Sequence, residues 1–149
     1  MSKFTFRLDS LLNIANHREE EAKRKLVLCL EELEYVQEEL LALSQKQTQA
    51  LRTLVEGKKG KLSIHQLIND HEYCQVLKER VETKQKEVIQ MEKKVKDARA
   101  NLEEIVKHRK ILDRLKENQY MNFIIEEEKK MQKDLDEIAT LFFTSAGGF

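Results

Sequence analysis

The sequence predicts an all-α fold, a long antiparallel two-helix coiled-coil hairpin with a C-terminal helical overhang. Three observations predict it. The 149-residue chain has no proline, and its four glycines sit only at Gly57, Gly60, Gly147 and Gly148. Proline and glycine are the strongest punctuators of regular structure, so two long stretches run uninterrupted. Charged residues make up 36% of the chain and aromatics 6%. That is too few large rings for a globular core, and it is the composition of long helices with a narrow apolar seam. Finally, the apolar residues keep a seven-residue beat in both stretches.

The first helix is expected over about 4–56. One heptad series runs Leu8, Ala15, Ala22, Cys29, Val36, Leu43, Ala50, and the other Leu12, Glu19, Leu26, Leu33, Leu40, Gln47, Leu54. The two alternate at spacings of four and three, the a/d pattern of a left-handed coiled coil, with only Glu19 and Gln47 polar. A turn is expected over about 57–62. Gly57 suits a left-handed residue closing the first helix, and Ser63 with Gln66 three residues on forms a capping box that opens the second. A loop of about five residues between helices makes them antiparallel. A single continuous helix pairing with another chain is the alternative. It would carry both glycines in its interior at a cost of about 2 kcal/mol.

The second helix is expected over about 63–145. Its series are Leu67, Cys74, Val81, Val88, Val95, Leu102, Arg109 and Asp70, Leu77, Lys84, Met91, Ala98, Ile105, Leu112. After Leu112 the register breaks, and a new phase starts at Met121, Ile124, Met131, Leu135, Ile138 and Phe142, with Glu128 its polar member. Counting outward from a turn at residue 59, Leu8 falls opposite about residue 110, so the second helix is expected to be unpaired beyond about 115. An apolar face left uncovered there marks an interaction site, or else the seam of a self-dimer. By the same counting Glu19 faces about residue 99 and Gln47 about residue 71, which makes Arg99 and His71 their expected neighbours. The two cysteines come out some 20 Å apart along the hairpin, beyond disulfide reach.

Composition narrows function. Basic and acidic residues balance at 27 each and are interspersed, whereas a nucleic-acid binder shows a basic face. No apolar run approaches the roughly 20 residues of a membrane span. No signal-peptide h-region is present either, so the chain is expected to be cytoplasmic and not inserted in a membrane. His17, His65, His71 and His108 have no metal-binding spacing to each other or to cysteine. Ser63 reads as a cap, and the Gly/Lys turn lacks the spacing and preceding strand of a phosphate loop. Lys58, Lys59 and Lys61 read as a solvated basic tip able to touch an acidic partner or anionic lipid. No catalytic residue, cofactor or metal is expected, and the function left is protein binding.

Three motifs resemble one family. KFTFRLDSLLNI at the start is similar to the F-x-F-R-L-x-x-L-L opening of the flagellar export protein family FliJ, on Phe4, Phe6, Arg7, Leu8, Leu11 and Leu12. HRKILDRLKE resembles its R-K-x-L-x-x-L stretch, on Arg109, Lys110, Leu112 and Leu115. QKDLDEIA resembles its closing K-x-L-D-E-x-A, on Lys133, Leu135, Asp136, Glu137 and Ala139. The resemblance implies a shaft similar to that of the rotary ATPase gamma subunit. It also implies insertion into the ring of the flagellar export ATPase (FliI), promotion of its assembly and activity, and binding to the cytoplasmic part of the export gate protein (FlhA). Handling of substrate chaperones and a peripheral place at the cytoplasmic side of the cell membrane are implied as well.

On that resemblance the ATPase-binding tip is expected to comprise Arg7, Leu8, Leu11 and Leu12 with Leu135, Asp136, Glu137, Ile138 and Phe142. The export-gate contact is expected around Leu43, Tyr73 and Leu77. The equivalent stalk of a virulence-type injectisome and a purely structural dimeric spacer are the competing readings. The F-x-F-R-L opening favours the flagellar one.

Overall fold

The computed structural model describes residues 3–57 and 63–147. Two helices make up nearly all of it: α1, Asp9–Gly57, and α2, Ile64–Gly147. No strand occurs among the described residues, and the two helices pack against each other as an all-α hairpin. Residues 58–62, where the sequence puts the turn and its basic tip, lie outside the described residues.

The helix ends follow from local chemistry. At the start of α2 the Gln66 N–H donates to Ser63 Oγ at 3.2 Å and the Leu67 N–H to the Ser63 carbonyl at 3.2 Å. Ser63 is therefore the expected N-cap, satisfying donors that have no partner within the helix. Gly57 differs from expectation. It is the last residue of α1 and does not take a positive φ, because glycine enters the right-handed helical region as readily as the left-handed one. α1 begins at Asp9, later than the sequence pattern suggests. The Asp9 N–H donates to the Phe6 carbonyl at 3.1 Å, a turn that leaves residues 3–6 non-helical. Asp9 in the first turn also suits the positive end of the helix dipole.

The chain divides into two compact units, Glu20–Glu103 and a second made of Met1–Glu19 with Glu104–Phe149. In the first unit the buried side chains are Ala22, Val36, Cys74, Leu77, Val81, Val88, Val95 and Ala98. Each is a heptad seam position, and small or β-branched residues dominate, which lets two helices approach closely. Leu77 is the most enclosed, at 1% exposure. In the second unit Leu12 and Glu19 are buried seam positions and Phe6 is a buried residue outside the heptads. Cys29 and Cys74 are both free thiols.

Cross-helix partners correct the expected register. Glu19 pairs with Arg109, not with Arg99, and Glu39 pairs with Lys84. The numbers midway between these partners fall at 64 and between 61 and 62. Pairing is thus centred a few residues later than 59. That offset brings two polar seam positions, Glu19 and Arg109, onto each other, so each neutralises a charge the other would leave uncompensated. Gln47 is half-buried and His71 exposed. A lone polar residue at such a position lowers stability while favouring one register. Gln47→Leu is therefore expected to raise the melting temperature, and a thermal scan by circular dichroism checks it; a clear drop would reveal a specific polar partner.

Candidate functional site

In the unit formed by both ends of the chain, the segment before α1 lies along α2. Phe4 and Phe6 lie in non-helical backbone, and both rings meet side chains of α2. The Phe4 ring meets Tyr120 edge-on, centroids 5.2 Å apart at 69°, and Phe123 at 5.4 Å. Lys116 Nζ stands 5.9 Å from the Phe6 ring centroid and 3.0 Å from Asp9 Oδ1. The ion pair is largely solvated and adds little, whereas the rings exclude water and carry most of the docking. Phe6→Ala is expected to cost about 2–3 kcal/mol, below the usual cost of a core phenylalanine because a non-helical terminal segment can close over the space, seen as a lower urea midpoint together with faster hydrogen exchange before α1.

One step towards the turn-proximal side, Arg109 answers two carboxylates. Its Nε is buried against Glu19 without the alignment of a hydrogen bond, and Nη1 donates to Asp113 at 2.5 Å. Burial pushes the guanidinium pKa down, but Glu19 and Asp113 together outweigh it and hold it up. In the other unit Lys84 contacts Glu39 and Glu87, the latter at 3.0 Å. Hydrogen bonding to Lys84 holds the Glu39 carboxyl below its ordinary value, and hydrogen bonding to Glu39 raises Lys84.

A carboxyl lowered on folding contributes stability that is present above its unfolded pKa of about 4.3 and lost as pH falls through the folded value. Lys84→Met is therefore expected to flatten the loss of melting temperature below about pH 4, which a pH series of thermal scans measures. An unchanged slope would mean that Lys84 is not what lowers Glu39.

Beyond Glu127, α2 is exposed at every described side chain through Ala146. Met131, Leu135, Ile138, Leu141, Phe142 and Phe143 are between 59% and 80% exposed. Apolar side chains so concentrated and so uncovered form a patch of the kind that interaction sites present.

The sequence-predicted residues fall in separate places. Arg7 and Leu11 are exposed and Leu8 half-buried near the start of α1. Leu12 is 5% exposed, so it presents no side chain to a partner and acts through packing. Leu135, Asp136, Glu137, Ile138 and Phe142 are all exposed. They do not adjoin the α1 group: Asp9 meets Lys116, and Leu135 lies about 28 Å further along α2 at 1.5 Å per residue. The nine side chains expected to form one tip are therefore two groups on one unit. Of the expected gate-facing residues, Leu43 is half-buried and Tyr73 exposed, while Leu77 is enclosed in the seam and is removed as a direct contact.

The Phe4–Tyr120–Phe123 cluster was not expected. Its signal is that the heptad register breaks after Leu112 and resumes at Met121, between Tyr120 and Phe123, at the level where the F-x-F opening arrives. Packing thereby extends past residue 115 to Phe123. All four histidines are exposed, and no group of three or more His, Cys, Asp or Glu suited to a metal ion occurs among the described residues. No helix among them is long and apolar enough to cross a membrane.

Comparison with curated proteins and with solved structures finds no match. The family described as Flagellar FliJ protein matches residues 3–148, nearly the whole chain. The chain belongs to the flagellar FliJ protein family, a component of flagellar protein export.

Proposed function

We propose that this chain is the stalk of the flagellar export ATPase. Its exposed C-terminal stretch of α2 enters the ring of FliI and promotes ring assembly and hydrolysis. The other unit reaches the cytoplasmic part of the gate protein FlhA, and the chain also handles substrate chaperones. Its place is then peripheral, at the cytoplasmic side of the membrane through the export apparatus. The observation that carries this reading is the set of uncovered apolar side chains on α2 between Met131 and Phe143, namely Met131, Leu135, Ile138, Leu141, Phe142 and Phe143. A shaft that engages a ring needs a helix paired at its base and bare at its end.

Contact with the ATPase is assigned to Leu135, Ile138 and Phe142, with Asp136 and Glu137 pointing away from that stripe toward whatever lines the ring. Arg7, Leu8 and Leu11 form a separate collar near the start of α1. The gate contact is assigned to Leu43 and Tyr73. Adding the purified chain to the cognate ATPase and following phosphate release tests the reading: hydrolysis is expected to rise. No rise at saturating chain would reduce the protein to a spacer. Tyr73→Ala is expected to weaken capture of the FlhA cytoplasmic part while leaving ATPase stimulation unchanged.

A further inference from the structure

Five apolar residues of α2, Ile124, Met131, Leu135, Ile138 and Phe142, fall on one stripe when each residue advances about 100°. Ile124 is half-buried and the other four are exposed. The border of this stripe has one sign. Glu127, Glu128 and Asp134 lie within about 70° of its midline, whereas Lys129, Lys130 and Lys133 lie about 110° or more away. Apolar side chains thus face outward between carboxylates, with the cations turned to the sides and back of the helix among Glu126, Asp136 and Glu137.

The geometry points to a partner groove with an apolar floor and a basic rim, Lys or Arg side chains meeting Glu128 and Asp134. This inference rests on the reading of the stretch as the ring-engaging element and adds the chemistry of the surface that receives it. Charges around an apolar contact choose the partner and speed its capture more than they add affinity. The same charges disfavour other occupants. A second copy of the chain would set an acidic rim against itself, and like charges juxtaposed across an interface are costly. An anionic lipid surface attracts polybasic segments, and it repels this border.

The test measures binding of the full-length chain to the flagellar export ATPase by fluorescence anisotropy, at about 50 mM and about 500 mM salt. Wild-type binding is expected to weaken at the higher salt. E128K/D134K is expected to bind about tenfold more weakly or worse at low salt, and E128Q/D134N to fall between, with a flatter salt response in both. Both side chains are exposed, so circular dichroism is expected to show unchanged helicity.

Binding by E128K/D134K equal to wild type at both salts overturns the basic rim. A full-length L135D/I138D variant separates this failure from that of the ring-engaging reading. If it too binds as wild type, the stretch is not the contact at all. If it fails to bind while E128K/D134K binds normally, only the basic rim falls. Dimerisation of the free chain, lost in L135D/I138D, overturns the inference in favour of a second copy.

Discussion

Ending the chain after Lys130 abolishes stimulation of the export ATPase and leaves the hairpin folded: that is the outcome the structure leads us to expect. Side chains from Met131 to Ala146 are all exposed, so their removal takes no contact from either seam. Tyr120 and Phe123, which hold Phe4, stay in place. A cut after Leu115 would be a poorer experiment, since it would strip those rings and confound loss of binding with loss of packing. Surface changes of this kind alter stability by less than about 0.5 kcal/mol, so the melting temperature should move by no more than about 4 °C. Phosphate release should fall to the rate of the ATPase alone. Full stimulation by the shortened chain would move the activating surface elsewhere on the molecule.

The largest effect on stability is expected at Leu77. Its side chain is the most enclosed among the described residues, and Leu→Ala at such a site loses the transfer free energy of the removed atoms plus the cost of the cavity left behind. In a two-helix seam the neighbours can close part of that space, so Leu77→Ala should cost about 3 kcal/mol. A denaturant titration followed by helical signal measures it. A cost below about 1 kcal/mol would mean the seam collapses freely at this level and is not close-packed.

Much of this architecture was legible in the residues. A seven-residue apolar beat specifies both helix type and the face that meets a partner helix, and among the described residues every buried apolar side chain except Phe6 lies on it. Ser63 announced its helix because a hydroxyl three residues before Gln66 can satisfy a free N–H. Register was read less well. Counting from residue 59 assumed a turn position, and an error of a few residues there is carried to every cross-helix pair. Glu19 therefore met Arg109, ten residues beyond the expected Arg99. The pair is marked in the sequence by its chemistry, since two opposite charges at a and d sites relieve each other.

The candidate site was legible as composition but not as one place. Two motifs at opposite ends of the sequence suggested a single tip, yet 49 residues of α1 against 84 of α2 leave the closing motif far beyond the start of α1. Phe4 and Phe6 escaped the heptad reading because they precede the helix, in non-helical backbone to which a period of three and a half does not apply. Leu77 shows the converse limit. Periodicity placed it in the seam, and a side chain that fills the seam is not available to a partner.

Site-specific photocrosslinking from position 142 tests the central claim most directly. The full-length chain would carry p-benzoylphenylalanine in place of Phe142, with a second version carrying it in place of Ile89, a solvent-facing apolar residue of the other unit. Irradiation in the presence of the assembled ATPase should give a covalent adduct with FliI from position 142 and none from position 89. Adduct from position 89 with none from position 142 would contradict the assignment of the exposed C-terminal stretch of α2 as the element that engages the ring.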